Sequence, residues 1–346
     1  MTFEKKYTMP PEWSQHSATQ LNWPSNRETW KGKSLEGVEE IYIQIIEELH
    51  FFEPIHLFVE NLEVRNRVMR KLSTRAVDLD RINIQQQKIN DVWVRDSGPI
   101  FVLSKGEGVI TDWNFNGWGR KYIAWEDDNR IPQLIAEKFG IRHVKCNMFL
   151  EGGAIDINGK GELLTTESVL LNPNRNPETS KDRIETILST YLGVEKVIWL
   201  KKGLRTDVTG GHVDKVARWL NDHTVLAAVT DDESDVNYES LQHNYEKLNS
   251  AKPEGEKPLQ VETLPLVKMK MEDNPHKYYY GSYANFYIAN GVVLVPIFNV
   301  EDDQKALDFF RRSFTGRKVL GIPSKELVKG QSAIHSITMP WYGTKF

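Results

Sequence analysis

The sequence predicts an α/β fold in which five repeated units form one propeller-like domain over residues 1–346. Each unit begins with an amphipathic helical pattern and continues with a short β-branched run, as in residues 37–50 followed by 55–59. A polar or Gly-rich segment comes next, and a further apolar run completes most units. The fifth unit lacks that run, whereas residues 19–23 have a strand pattern without a unit of their own. Because a closed ring protects the edges of its sheets, we expect this N-terminal strand to close the circle.

The other four units repeat the same order of helix and strand. Their helix and strand patterns cover 131–139 and 141–145, 183–192 and 197–200, 237–248 and 259–266, and 303–314 and 318–322. The polar or Gly-rich segments cover 90–103, 150–157, 208–217, 281–290 and 330–338. We interpret these segments as strands that approach the ring axis. Residues 152–156 superpose on 210–214, and this similarity favours the ring over a two-domain α/β protein.

The charge composition argues against polyanionic partners. The chain has 44 Lys and Arg against 48 Asp and Glu, a formal net charge of −4, so it lacks the basic excess typical of proteins that bind nucleic acid or anionic membranes. A cationic or neutral small molecule fits better. Cys146 is the one cysteine and is predicted to be a buried hydrophobic residue, and no Cys/His cluster has metal-ligand spacing. Without an apolar stretch of signal-peptide or membrane-spanning length, we expect a cytoplasmic protein, with a homo-oligomer left open.

Three acids and a histidine are candidates for a site at the ring axis. Asp96, Glu151 and Asp214 come from equivalent segments of different repeats. His212 lies two residues before Asp214, so a strand would project both side chains from one face. Mutually repelling carboxylates are tolerated together when a cation joins them. Taken alone, each acid is better explained by an ion pair, a turn or a solvated loop, and His212 with Asp214 by a buried structural pair.

Three tryptophans are candidates for the wall of such a pocket. Trp93, Trp113 and Trp118 lie in or beside the same segments, and an indole ring accepts a planar cation on its face. For any one of them, ordinary core packing is the alternative.

Seven ordered motifs carry a resemblance that covers essentially the whole chain. They are Met9-Pro10-Pro11-Glu12-Trp13, Asn22-Trp23-Pro24, residues 90–99, Phe115-Asn116-Gly117-Trp118-Gly119, Glu151-Gly152-Gly153, Gly211-His212-Val213-Asp214 and Ile334-His335-Ser336-Ile337-Thr338. Together they resemble the agmatine deiminase family of the guanidino-group-modifying superfamily, which also contains peptidylarginine deiminases, arginine deiminases and amidinotransferases. The resemblance implies the pentein fold, a five-bladed pseudo-symmetric α/β propeller with ββαβ-like repeats around a central active site.

The resemblance also implies roles for residues at the matching positions. Asp96 and Asp214 would bind the substrate guanidinium. From the chemistry of their indole rings, we expect Trp93 and Trp118 to be further substrate contacts. Glu151 would support the same pocket. His212 would act as general acid and base, and neither a metal nor an organic cofactor is implied.

The position of the family's cysteine nucleophile is occupied here by Ser336. In the family reaction a thiolate attacks the guanidinium carbon, ammonia leaves, and water hydrolyses the covalent adduct to the ureido product. A serine hydroxyl ionises far less readily than a thiol, so we expect this form to be inactive or nearly so. Because the other motif residues are retained, we favour an introduced Cys-to-Ser replacement that keeps substrate intact, with a naturally silent homologue as the rival.

The implied activity is hydrolysis of a C–N bond in agmatine, giving N-carbamoylputrescine and ammonia. Peptidylarginine or free arginine is the alternative substrate, and a non-catalytic guanidinium-binding homologue is the alternative of another class. Residues 330–332 replace a glycine run and Met339-Pro340 replace glutamines that the family usually has beside the nucleophile. These departures leave open which chemical group the substrate carries at the end opposite its guanidinium.

Overall fold

Five β-sheets share one order of connections. The computed structural model describes residues 6–31, 34–252, 258–272, 274 and 276–346. In every sheet two strands pair in antiparallel orientation, and a helix then leads to a further strand parallel to the second. The protein is therefore a five-bladed α/β propeller, as the sequence predicted.

The sheets are numbered along the chain, with their strands in spatial order. The first sheet contains Met339–Trp341, Ala18–Asn22, Ile55–Val59 and Ile82–Gln86. The second contains Ile100–Ser104, Glu107–Asn114 and Arg142–Phe149, and the third contains Ile155–Ile157, Glu162–Thr166 and Lys196–Leu200. The fourth contains Ala217–Trp219, Thr224–Val229, Gln260–Lys270 and Tyr278–Ser282, and the fifth contains Tyr287–Ile288, Val292–Ile297 and Lys318–Pro323.

A helix joins the parallel strands of each sheet. These helices are Ser34–Leu49 and Leu62–Ser73 in the first sheet, then Ile131–Phe139, Lys181–Leu192, Tyr238–Ser250 and Asp302–Ser313. Shorter helices cover Leu79–Arg81, Gly117–Arg120, Glu126–Asn129, Glu167–Leu170 and Lys325–Lys329. None of the helices in the described residues is both long enough and apolar enough to cross a membrane.

The helix Leu62–Ser73 and the strand Ile82–Gln86 are among the elements that were not predicted. The helix Leu62–Ser73 buries Val64, Val68 and Leu72, which is one residue per turn and leaves a narrow apolar stripe. The strand Ile82–Gln86 has one buried residue at its start. The strand extends the first sheet at its outer edge, and the helix leads to it from the preceding strand.

The ring closes between the two ends of the described chain. Met339–Trp341 pairs antiparallel with Ala18–Asn22. The fully buried Trp341 side chain stacks on His56, with ring centroids 4.1 Å apart. The prediction that an N-terminal strand closes the circle is confirmed.

Five short helical turns, here called the axial turns, each precede the first strand of a sheet. They are Val94–Ser97, Gly152–Ala154, Val213–Lys215, Tyr283–Asn285 and His335–Ile337. The first four contact one another in sequence, and the fifth contacts the first. The fifth also joins the fourth, because the His335 N–H donates to Asn285 Oδ1 at 3.1 Å. The turns thus form a small ring inside the propeller.

The prediction that these segments are continuous strands is wrong. Gly210 and Gly211 have φ of 97° and 110°, a left-handed conformation that interrupts a strand and that glycine adopts at little cost. His212 therefore immediately precedes the one-turn helix Val213–Lys215, and Asp214 lies inside it. The two side chains do not share one face of a strand.

The predicted register between repeats is also wrong. The sequence superposition aligned Gly152 with Gly210, but the second axial turn begins at Gly152 and the third begins at Val213. Gly152 and Gly153 form part of the second turn, whereas Gly210 and Gly211 precede the third. The similar Gly motifs therefore do not mark equivalent positions, because the glycines adopt different backbone conformations in the two repeats.

Candidate active site

Four predicted site residues converge where the first three axial turns meet. Asp96 lies in the first turn, Glu151 and His212 precede the second and third, and Asp214 lies in the third. All four are buried, with exposed fractions of 5% or less. Nδ1 of His212 is 3.5 Å from Asp96 Oδ1, and Nε2 is 3.8 Å from Glu151 Oε2. The imidazole therefore lies between two carboxylates from different repeats.

Gly153 permits this convergence. Its N–H donates to Asp96 Oδ1 at 3.1 Å. A Cβ atom at this position would lie 2.6 Å from Asp96 Oδ1, 2.7 Å from His212 Nδ1 and 3.1 Å from Asp214 Oδ2. A larger residue would force the Asp96 and His212 side chains to move, so glycine allows the close approach of the backbone to the site.

Asp214 has partners other than His212. Its Oδ2 accepts hydrogen bonds from His335 Nδ1 at 2.8 Å and from Asn285 Nδ2 at 3.1 Å. Burial alone would raise the pKa of Asp214, but the hydrogen bond and charge of His335 hold it below its ordinary value. In the described structure the predicted His212–Asp214 pair is not a hydrogen-bonded pair, because the fourth and fifth axial turns hold Asp214 instead.

Glu151 is held by an arginine that the sequence patterns did not indicate. Nε of the buried Arg175 donates to Glu151 Oε1 at 2.9 Å, and its NH2 group donates to the carbonyl oxygen of Thr209. Arg175 lies in a loop after the helix Glu167–Leu170, without a motif around it. Its role became visible only in the folded chain.

Three polar atoms at this junction lack a hydrogen-bond partner within the described residues. They are Glu151 Oε2, His212 Nε2 and Asp214 Oδ1, all shielded from solvent. A buried polar atom without a partner costs about 1–3 kcal/mol and is rare in native proteins. Two of the atoms are carboxylate oxygens, so a cation that presents several N–H donors would satisfy them.

Burial and neighbouring charges set the protonation of the site. Burial raises the pKa of Asp96, and the negative charge of Asp214 acts in the same direction. Burial alone would raise the pKa of Glu151, but the charges of Arg175 and His212 and the hydrogen bond from Arg175 lower it. Burial alone would lower the pKa of His212, but the carboxylates of Asp96 and Glu151 raise it above 6.5. The imidazole therefore gains proton affinity from the acids around it.

Ser336 lies in the fifth axial turn, with an exposed fraction of 2%. Its Oγ forms a hydrogen bond with Ser332 Oγ. The preceding residue, His335, contacts Asp214, so the turn that contains Ser336 is joined to the acids of the site.

The loop before Ser336 is held by a lysine from the third axial turn. Nζ of Lys215 donates to the carbonyl oxygen of Gln331 at 2.8 Å and to Asp207 Oδ1 at 2.7 Å. Gln331 has φ of 79°, a conformation that favours glycine and is strained for other residues. A cavity of about 30 Å³ lies between this loop and Tyr278–Ser282.

The three candidate tryptophans have different environments. Trp118 Nε1 donates to Asp96 Oδ2 at 2.9 Å, so this residue borders the acids. Trp93 immediately precedes the first axial turn and packs against Trp30, with ring centroids 5.8 Å apart. Trp113 packs in the hydrophobic core of the second and third sheets. Of the three, Trp118 is the one whose contact to a site acid the structure describes.

Cys146 is a free, buried cysteine in the strand Arg142–Phe149. Burial raises the pKa of its thiol to about 12. The thiol is therefore not poised as a nucleophile, and the prediction of a buried hydrophobic role is confirmed.

Comparison with known proteins agrees with this fold and with the predicted family. The family model of Porphyromonas-type peptidyl-arginine deiminase matches residues 8–341. The chain belongs to this family. An agmatine deiminase from Pseudomonas syringae pv. syringae is 33% identical to it, over 96% of this chain and 94% of that protein.

Solved structures of the family share the fold along nearly the whole chain. The agmatine deiminase of Enterococcus faecalis has a TM-score of 0.89 at 30% identity, over 99% of this chain and 97% of that one. A Cys-to-Ser variant of C. jejuni agmatine deiminase, solved with substrate bound, has a TM-score of 0.86 at 26% identity, over 98% and 97% of the two chains.

Two further residues beside the site, Glu12 and His335, lie inside the family motifs. Glu12 lies in the first family motif, and His335 directly precedes Ser336 in the last one. Both are buried, although each is an ionisable side chain. Their presence inside motifs of the peptidyl-arginine deiminase family was the signal available from the sequence.

Proposed function

We propose that this chain has the substrate site of an agmatine deiminase and binds agmatine, while Ser336 leaves it with little or no turnover. The observation that carries the proposal is the set of buried, unpartnered oxygen atoms on Glu151 and Asp214, next to Asp96. These acids come from different blades and face one another at the axis. A bound guanidinium would remove both their repulsion and their lack of hydrogen bonds.

A guanidinium group matches this arrangement in shape and in hydrogen bonding. It is planar and has several N–H donors in a fixed geometry, and carboxylates accept such donors in pairs. In this proposal Asp96 and Asp214 bind the guanidinium nitrogens, and Asp214 offers its unpartnered Oδ1. Trp118, whose indole donates to Asp96, forms one wall. Trp93 stays a proposed further substrate contact.

His212 and Glu151 would serve the chemistry in a form with a thiol at position 336. The thiolate attacks the guanidinium carbon, the C–N bond breaks, and the departing nitrogen takes a proton from His212 to leave as ammonia. Water, deprotonated by His212, then attacks the same carbon and the C–S bond breaks. Asp96 and Glu151 raise the pKa of His212, and the imidazole therefore keeps the proton that it donates in the first step.

In the described part of the chain, Ser336 forms no hydrogen bond to a base that would activate it for this chemistry. Its described hydrogen-bond partner is the hydroxyl of Ser332, which is itself a weak base. An alcohol needs a strong adjacent base to act as a nucleophile. The substrate-bound Cys-to-Ser variant from C. jejuni supports the view that such a replacement is compatible with substrate binding on this fold.

Calorimetry with agmatine tests the binding part of the proposal. We expect agmatine to bind and putrescine, which lacks the guanidinium, to bind much more weakly. Asp96→Asn or Asp214→Asn should weaken agmatine binding by roughly 10- to 150-fold, because a hydrogen bond to a charged group contributes about 1.5–3 kcal/mol. Asp112→Asn is the matched control, since Asp112 is a buried acid of the second sheet paired with Lys145. Equal affinity in all three variants would contradict the proposed clamp.

Restoring a thiol tests the catalytic part. Ser336→Cys should raise ureido product and ammonia release by orders of magnitude, whereas Ser336→Ala should bind agmatine without turnover. The buried Cys146 provides an internal reference for thiol labelling, because its raised pKa makes it slow to react. A Ser336→Cys protein that is inert towards agmatine, arginine and arginyl peptides would overturn the enzyme assignment and leave the non-catalytic binding protein.

A further inference from the structure

The carboxylate of Glu12 is saturated with hydrogen bonds at the centre of the propeller. Oε1 accepts from Arg218 NH2 at 2.9 Å and from the Ile288 N–H at 2.9 Å. Oε2 accepts from Arg95 NH2 at 2.8 Å and from His335 Nε2 at 3.0 Å. A carboxylate has about four acceptor sites, and here all four are used. Glu12 thereby joins the N-terminal segment to the fourth and fifth sheets and to the first and fifth axial turns.

Glu12 is ionised in this environment. Burial alone would raise its pKa, but the charges of Arg218, His335 and Arg95 hold it well below the ordinary value. A buried carboxylate with two guanidinium partners and an imidazole partner is compensated, and removal of its charge would leave those cations unpaired.

His335 connects this carboxylate to the candidate site. Its Nε2 faces Glu12 and its Nδ1 faces Asp214 Oδ2, at 3.0 and 2.8 Å. Ionised carboxylates accept hydrogen bonds and do not donate them, so both ring nitrogens must donate. Each acid therefore helps to fix the orientation of the ring between them.

We propose that Glu12 is a positioning residue for the guanidinium site, which acts by holding His335 so that His335 fixes Asp214. With Oδ2 of Asp214 occupied by His335 and Asn285, its Oδ1 is left without a described partner and available to a ligand. The inference rests on the proposed function, in which Asp214 binds the substrate cation.

A second connection runs to the other proposed clamp residue. Arg95, which donates to Glu12, directly precedes Asp96 in the first axial turn. Nε of Arg95 also donates to the carbonyl oxygen of His335 at 3.2 Å. Glu12 thus holds the two turns that carry Asp96 and Ser336 against each other.

The N-terminal segment has other attachments that do not lead to the site. The Met9 N–H donates to the Leu192 carbonyl at 2.9 Å, and Arg317 NH2 donates to the Trp13 carbonyl at 2.8 Å. Glu53 is a comparable buried acid of this region, and it accepts from His16 Nδ1 at 3.0 Å and from the Asn290 N–H at 2.8 Å. Glu53 reaches Glu12 only through His16, whose Nε2 lies 2.7 Å from the Glu12 backbone carbonyl oxygen and not from its carboxylate. Glu53→Gln is therefore a matched control that removes a nearby buried acid and leaves the hydrogen bonds of the Glu12 carboxylate in place.

The test measures agmatine affinity of the full chain by calorimetry, below the unfolding temperature of each variant. Glu12→Gln keeps the size of the side chain, but its amide NH2 group would face an N–H donor that now binds the carboxylate. We expect agmatine binding to weaken roughly tenfold in Glu12→Gln, and much less in Glu12→Asp, which retains the charge. Glu53→Gln should lower Tm and leave affinity within about twofold. Unchanged affinity in Glu12→Gln would overturn the inference.

A double-mutant cycle with His335→Gln separates positioning from general destabilisation. If Glu12 acts through His335, the double variant should bind agmatine about as weakly as His335→Gln alone. Simple addition of the two losses would overturn the proposed route. In ¹⁵N NMR, the resonance of His335 Nε2 should shift in Glu12→Gln, because that nitrogen loses its carboxylate partner.

The outcomes distinguish this inference from the proposed function on which it rests. If Asp214→Asn leaves agmatine affinity unchanged, the guanidinium site itself is wrong. If Asp214→Asn weakens binding while Glu12→Gln and His335→Gln do not, the positioning role alone is wrong. Should Glu12→Gln fail to fold, His335→Gln still tests the link to Asp214, with the same tenfold loss expected and unchanged affinity as the contrary result.

Discussion

Nδ1 of His212 lies 3.5 Å from Oδ1 of Asp96. The two residues come from different blades, and the backbone of Gly153 lies against both of them. This contact places a proton-carrying ring beside an acid that is itself poised to bind a cation. The close approach leaves little room for a side chain at position 153.

Gly153→Ala tests how tightly this junction is packed. The added methyl group would lie 2.6 Å from Asp96 Oδ1 and 2.7 Å from His212 Nδ1. We expect a loss of about 1–3 kcal/mol in stability from overpacking, together with a large loss of agmatine affinity. Gly316→Ala is the control, because no atom lies within 4 Å of its added Cβ. Thermal unfolding and calorimetry measure both effects, and normal agmatine affinity in Gly153→Ala would contradict the geometry described.

Agmatine affinity should rise with pH. The pKa of His212 is raised above 6.5, so the ring is a cation at lower pH and repels a bound guanidinium. Burial raises the pKa of Asp96, so this acid becomes an anion at a higher pH than usual. As the pH rises through both pKa values the site loses a positive charge and gains a negative one, while the guanidinium stays charged. Calorimetry between about pH 5 and 9 measures the change in agmatine affinity with pH. His212→Gln should make that change smaller. Agmatine affinity that falls as the pH rises would contradict the prediction.

His212→Gln in the Ser336→Cys background tests the proton donor. We expect kcat to fall by roughly 10²- to 10⁴-fold, the usual contribution of one general acid or base. Agmatine binding should suffer less, because Asp96 and Asp214 would still hold the cation. A purely structural role predicts the reverse, with a lower Tm and nearly intact kcat in the folded protein. Measuring kcat and Tm on one preparation decides between them.

Trp341→Ala tests the closure of the ring. The indole stacks on His56 and donates from Nε1 to Gln20 Oε1 at 3.0 Å, so its loss opens a cavity where the two terminal strands pair. We expect a loss of about 3–5 kcal/mol in the free energy of unfolding. Phe346→Ala is the control, because that side chain is 52% exposed. Chemical denaturation gives both values, and equal stability of the two variants would show that closure contributes little.

Local sequence patterns were sufficient for the blades. Ile55–Val59 and Ile131–Phe139 have the predicted bounds, because their apolar spacing records which side of each element is buried. Ring closure was predictable for a similar reason. A strand pattern at residues 19–23 without a partner of its own needs one elsewhere in the chain, and Met339–Trp341 supplies it.

The sequence by itself determined the family and the residues of the candidate site, whereas the tertiary structure decided how those residues face one another. Asp96, Glu151, His212 and Asp214 were identified from motifs, but the axial turns that carry them are only three or four residues long and have no periodicity to read. The contact between Asp214 and His335 joins residues 121 positions apart. Such partners, like Arg175 on Glu151 and Glu12 on His335, are fixed by the packing of five separate turns at one axis, and no local pattern of side chains records that packing.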